Sequence, residues 1–193
     1  MDLILGIFTA LDSSTQESGI STSSTKEYST TNIQVENVDE ADVTKTDGDY
    51  IYSLSENKVI ITDVRDETQI KKVAEIEQTD SNTFPTELIL YQNKLIIISE
   101  KLKEISFYLT GDKTIVTIYD ISNKEQPKEI KSYQLEQAYY TSRCIDGKLY
   151  IIASGNLKEE NGEIVTHYYE NGKQIDPGYG NIKRIKDINT VCQ

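Results

Sequence analysis

Asp39, Glu40, Asp42, Asp47 and Asp49 crowd one short stretch of the chain. Carboxylates at that density are what a hard cation such as Ca²⁺ collects. The stretch lacks the Asp-x-Asp-x-Asp-Gly order with a closing Glu that an EF-hand loop needs. A second reading therefore stands beside the first. Asp39, Glu40 and Asp42 cap turns and pair with cations such as Lys45, and Asp47-Gly48 is a tight-turn dipeptide that recurs at Asp146-Gly147. Asp39, Glu40, Asp42 and Asp47 are the candidate metal ligands, with Ca²⁺ as the cation. Arg143 is the candidate ligand or channel residue. It lies beside a predicted inner strand, where a guanidinium can grip an anion bidentately or pair with a carboxylate, Asp42 or Asp47. His167 is the only histidine. It sits in a hairpin strand with no nucleophile motif around it and reads as an exposed strand residue. Gly-rich phosphate loops, HExxH and GxGxxG are absent. With 32 acidic residues, some carboxylate pair with glycosidase spacing is guaranteed, so that signal discriminates nothing. No catalytic residue and no organic cofactor is assigned.

The elements that must hold these residues are strands. Residues 13–31 carry 12 Ser or Thr among 19 positions, too little apolar surface to offset the entropy of ordering, and are read as a disordered linker. Before them, Leu3–Leu11 is a short apolar run, too short to span a bilayer as a helix. It reads as the remnant of an export segment or as a short amphipathic helix or frayed end. From Asn32 onward apolar and polar residues alternate in short runs, and turn dipeptides separate them at Glu56-Asn57, Gln92-Asn93, Asp146-Gly147 and Asn171-Gly172. Gly48, Asn93 and Gly147 each precede a strand, spaced by 45 and then 54 residues. A period of that size with about four strands per unit is the signature of propeller blades. A β-sandwich with look-alike hairpins is the competing architecture. The expectation is an all-β chain: residues 1–31 form a disordered leader, and 32–193 form a partial β-propeller of about three four-stranded antiparallel blades, at 45–80, 84–136 and 137–180. Closure needs about four to eight blades, so the chain is expected to be a fragment or to assemble with another chain.

Composition narrows the partners. The net charge of -12 argues against nucleic acid, which requires a basic stripe, and against adsorption to anionic lipid. Two cysteines make no disulfide framework. Cys144 reads as a core residue beside a strand, and a bridge to Cys192 is left open.

The segment from Tyr28 to Gly48, with Asn32-Ile33-Gln34-Val35-Glu36-Asn37-Val38-Asp39-Glu40-Ala41-Asp42 and then Lys45-Thr46-Asp47-Gly48, resembles the opening of the secreted bacterial and archaeal β-propeller domains distantly related to WD40 repeats. Tyr119-Asp120-Ile121-Ser122-Asn123 with Pro127 is similar to the family's Asp-ended strand and polar loop. Tyr140–Arg143 ahead of Asp146–Tyr150 is similar to its next blade. Asn37 departs from the glycine usual there. The resemblance implies an extracellular or membrane-tethered location on the outer face of a prokaryotic cell, with any anchor upstream, and it implies no catalytic activity. The functional expectation is a non-catalytic binding or scaffold module for a protein or cell-surface component. The alternative is an extracellular hydrolase or lyase with acidic residues at the propeller channel.

Overall fold

In the computed structural model, described over residues 2–8, 38–105, 108–155, 158–160, 163–165 and 167–175, every regular element among those residues is a strand. They are β1 (Asp2–Phe8), β2 (Val38–Glu40), β3 (Thr44–Thr46), β4 (Tyr50–Ser55), β5 (Lys58–Asp63), β6 (Lys71–Glu77), β7 (Thr83–Tyr91), β8 (Lys94–Ile105), β9 (Tyr108–Asp120), β10 (Lys128–Leu135), β11 (Ala138–Ile145), β12 (Lys148–Gly155), β13 (Lys158–Glu160), β14 (Glu163–Val165), β15 (Tyr168–Glu170) and β16 (Lys173–Ile175). Blade 1 is the sheet β3-β4-β5-β6. Blade 2 is β16-β15-β10-β9-β8-β7, and blade 3 is β1-β12-β11-β2. The short pair β13-β14 stands apart. All pairings are antiparallel.

The four turn dipeptides all close two-residue hairpins. At Asp146-Gly147 and Asn171-Gly172 both residues have positive φ, the pattern of a type I′ turn that matches the twist of the flanking strands. Glu56 and Gln92 take positive φ at the first position alone.

Blade 2 is the centre of the stack, and its sequence explains why. Leu95-Ile96-Ile97-Ile98 is apolar without alternation because both faces of β8 are buried. Leu88, Leu95 and Ile97 pack with Tyr52, Val59 and Ile61 of blade 1. Ile89, Ile96 and Ile98 pack with Cys144, Leu149 and Ile151 of blade 3. Each such side chain taken fully out of water contributes about 1.5–3 kcal/mol, so these two seams dominate the packing.

Two features depart from expectation. Within the segment expected to be disordered, Asp2–Phe8 is a strand. It pairs along β12 from Asp2↔Gly155 to Phe8↔Leu149, because the edge of β12 offers a row of free backbone groups that an apolar extended segment satisfies. The Ser/Thr-rich stretch 13–31 and Cys192 lie outside the described residues. The third group also does not build a blade from its own consecutive strands. After β12 the chain forms β13-β14 and then crosses back, so that β15 pairs with β10 of blade 2.

Candidate functional site

Residues 38–46 form a strap across all three blades. Val38–Glu40 pairs with β11, setting Glu40 opposite Arg143 and Asp39 opposite Cys144. Asp42 then exchanges backbone hydrogen bonds with Leu88 of β7, at 3.0 and 2.7 Å. The Val43 carbonyl accepts from the Leu54 amide at 3.0 Å, and β3 opens blade 1. Lys45 folds back along the strap. It is only 4% exposed, and its Nζ donates to Asp39 Oδ1 at 2.7 Å and to the Glu40 carbonyl.

The candidate carboxylates are thereby spread over separate tasks. Successive strand residues point to opposite faces, so Asp39 turns toward Lys45 while Glu40 turns to Arg143, with Nη2 to Oε1 at 3.2 Å. Asp42 is exposed and accepts from the Val43 amide at 2.6 Å. Asp47 belongs to the β3–β4 turn. It accepts from the Tyr50 amide and the Tyr52 hydroxyl, both at 2.8 Å, and from Lys124 at 3.1 Å. Burial raises the Asp47 carboxyl, but the Tyr52 hydroxyl, the Tyr50 amide and Lys124 together outweigh it and hold the pKa below the ordinary value. The four carboxylates are not gathered round one point. Among the described residues no group of three or more His, Cys, Asp or Glu is placed to hold a metal ion. Arg143 also finds a different partner from the expected Asp42 or Asp47. The β2–β11 register delivers Glu40, and Arg143 Nη1 adds bonds to the Ser142 carbonyl at 2.7 Å and Thr141 Oγ1 at 3.2 Å.

A second set of polar groups joins blades 2 and 3. The Tyr139 hydroxyl donates to the Glu87 carboxylate and lies 2.9 Å from Ser142 Oγ. Burial first, and then the Glu87 carboxylate, push the Tyr139 phenol up, so it stays protonated as a donor. Glu100 accepts from the Tyr139 amide, yet burial outweighs that bond and raises its carboxyl. Thr114 Oγ1, fully buried, donates to the Gln137 carbonyl at 2.8 Å. Cys144 is a free, buried thiol whose pKa is pushed up to about 11 by burial and by nearby Asp39.

The outer half of blade 2 carries a feature not anticipated from the sequence. Blade 1 packs on residues of β7, β8 and the C-terminal part of β9. Beyond it, the same face of the widened sheet presents a cross-strand row, Ile115↔Gln134↔Tyr169↔Gln174. A groove of about 390 Å³ lies here, lined by Ile115, Ser132, Tyr133, Gln134, Tyr169 and Gly172. Two residues along, on the same face, Glu136 sits between Lys113 (4.0 Å) and His167 (3.2 Å). His167 is thus half-buried beside a carboxylate, not an exposed strand residue, because the hairpin it leads into docks on β10. The Asn171-Gly172 signal predicts that hairpin, but nothing in it names the sheet that the hairpin joins.

Three stacked antiparallel sheets, strapped along their first strands, define a propeller-type protein. The chain belongs to the β-propeller domain family, whose model matches residues 28–192. An uncharacterised protein of Methanocaldococcus jannaschii is 32% identical over 147 residues, covering 76% of this chain and 20% of that protein. The chain therefore spans about a fifth of the length of the curated relative it matches. No solved structure matches it.

Proposed function

We propose that this chain is a non-catalytic binding or scaffold module, exported to the cell envelope or the extracellular space of a prokaryote, where it engages a protein or surface component. The observation that supports this reading is the use made of its acids. Asp39, Glu40 and Glu87 each accept from a cation or a hydroxyl on another strand, and Asp47 ties the β3–β4 turn to Tyr52 and Lys124, so they serve the frame that carries the surfaces. One observation favours a hydrolase or lyase instead. Glu100 is half-buried with a raised carboxyl pKa, the property of a general acid.

Labelled chain incubated with isolated prokaryotic envelopes tests the first reading: saturable co-sedimentation, displaced by unlabelled chain, is expected. Absence of saturable binding refutes it. Slow cleavage of an envelope polysaccharide that disappears in Glu100→Gln would establish the second reading in its place.

A further inference from the structure

We infer that the outer half of blade 2 is a binding site for a neutral saccharide chain, with the Tyr169 ring as its platform. This assignment rests on the binding-module reading and names its ligand. The groove residues Ile115, Ser132, Gln134, Tyr169 and Gly172 carry no charge, and Tyr133, whose side chain is buried in the blade-3 core, adds none, on a chain of net charge -12. An uncharged lining gives nothing to an ionic ligand, while amide and hydroxyl groups donate and accept alike and so match the hydroxyls of a sugar. A tyrosine offers an apolar ring face beside a polar tip, which suits a pyranose with its C–H face against the ring and its hydroxyls at the rim.

The platform is held before any ligand arrives. The hairpin bearing Tyr169 is tied to β10 twice at Ser132: the Asn171 amide donates to the Ser132 carbonyl at 2.8 Å, and the Ser132 amide donates to Asn171 Oδ1 at 2.9 Å. Tyr168 on the opposite face is buried with Leu135 and Ala153, which fixes the strand's orientation. Preorganisation of this kind lowers the ordering cost of binding. A groove of about 390 Å³ falls within the usual range for small-ligand sites, roughly 300–1,000 Å³. Gly172 has no neighbour within 4 Å of where a Cβ would stand, so the rim is open and a polymer can pass over it. Along the face, Glu136 with Lys113 and His167 closes one end with groups able to bond sugar hydroxyls.

The test titrates the full chain with cellotetraose, maltotetraose and chitotetraose, with a tetragalacturonate as the charged comparator, by calorimetry and saturation-transfer NMR. At least one neutral tetrasaccharide should bind and the charged one should bind more weakly. Saturation transfer should run from tyrosine protons. Tyr169→Ala should weaken binding about tenfold, while Tyr169→Phe, which keeps the ring, should weaken it less. Gln134→Ala offers a second reading of the site should Tyr169→Ala lose its β-sheet circular dichroism.

No binding of any neutral probe at ~10 mM, a concentration that detects even millimolar affinity, overturns the assignment. So does binding that survives Tyr169→Ala, or a dimer in sedimentation that Tyr169→Ala dissociates. A chain that sediments with envelopes but ignores all three saccharides loses this assignment and keeps the scaffold reading.

Discussion

Replacing Lys45 by methionine asks whether the strap is held by charge. Lys45 Nζ is 2.7 Å from Asp39 Oδ1, with side-chain exposures of 5% and 22%. Methionine preserves much of the stem's packing and leaves Asp39 and the Glu40 carbonyl without their donor. Removing one member of a buried pair costs about 3–5 kcal/mol. Asp39 keeps some contact with water, so the expected loss is about 2–3 kcal/mol. Asp39→Asn strands the more deeply buried charge and should cost about the same or more. The double variant carries neither charge, and the two single losses should exceed the double loss by about 1.5–3 kcal/mol. The Glu40–Arg143 pair, 39% and 41% exposed, is the internal control and should couple by less than about 1 kcal/mol. Urea unfolding followed by tyrosine fluorescence and far-UV circular dichroism measures both cycles. At a slope of about 1–3 kcal/mol per molar, Lys45→Met should lower the midpoint by about 1 M. A shift below about 0.3 M, or additivity within about 0.5 kcal/mol, would refute the claim that this pair clamps the strap.

Four further outcomes follow from the same geometry. Asp47, held below its ordinary 3.8, contributes stability that is complete above the unfolded pKa and lost as pH falls through the lower folded one. Thermal midpoints of wild type should therefore drop faster than those of Asp47→Asn between about pH 5 and 3. Glu100, raised above its ordinary 4.5, has the opposite sign. Its contribution is present below the unfolded pKa and fades as pH rises through the folded one, so Glu100→Gln should gain on wild type above about pH 5 and not at pH 4. Gly147→Ala places a Cβ 2.7 Å from the Tyr91 hydroxyl at φ +73, whereas Gly172→Ala at φ +74 meets nothing within 4 Å. Both should lose about 1–2 kcal/mol of stability to backbone strain, with Gly147→Ala losing more in urea unfolding, and equal losses would show that Tyr91 yields freely. Cys144, with a pKa near 11, should resist iodoacetamide in the native chain at pH 8 and react on unfolding. Peptide mass spectrometry reads this, and rapid native labelling would contradict its burial.

Local structure was legible in the sequence where local rules govern it. Asn171-Gly172 and Asp146-Gly147 announce hairpins because their backbone needs positive φ, and both are there. The run Leu95–Ile98 after the Gln92-Asn93 turn reads as a strand, and the structure makes it the centre of both cores. Pairings at long range were not legible. Arg143 needed a carboxylate, and the sequence offered Asp42 and Asp47 as readily as Glu40; only the β2–β11 register decides. Nor does any residue between β12 and β15 announce that the chain crosses to blade 2. The shelf on blade 2 follows from that crossing, so its residues carried no signal of their own.

The strap and the crossing hairpin do complementary work. The strap runs from β11 past β7 into blade 1, and so links the first strands of all three sheets. The hairpin leaves blade 3 and pairs with β10, the last of blade 2's own consecutive strands. There Tyr168 and Ile175 pack with Leu135 of β10 and Ala153 of β12. Blades 2 and 3 are therefore bound through their apolar seam, through the strap and through the hairpin, while blade 1 joins blade 2 through a seam of its own, the strap and the Asp47–Lys124 pair, with no crossing hairpin among the described residues. Widening blade 2 outward has a further consequence. Its blade-3 face gains cover from β12, but its blade-1 face extends past the reach of blade 1. The device that braces two blades is the one that leaves a groove of uncharged lining, floored by Tyr169, on the blade-1 face. A binding surface there needs no sacrifice of core packing, since Ile115, Gln134 and Tyr169 alternate with buried Val116, Leu135 and Tyr168 on the other side.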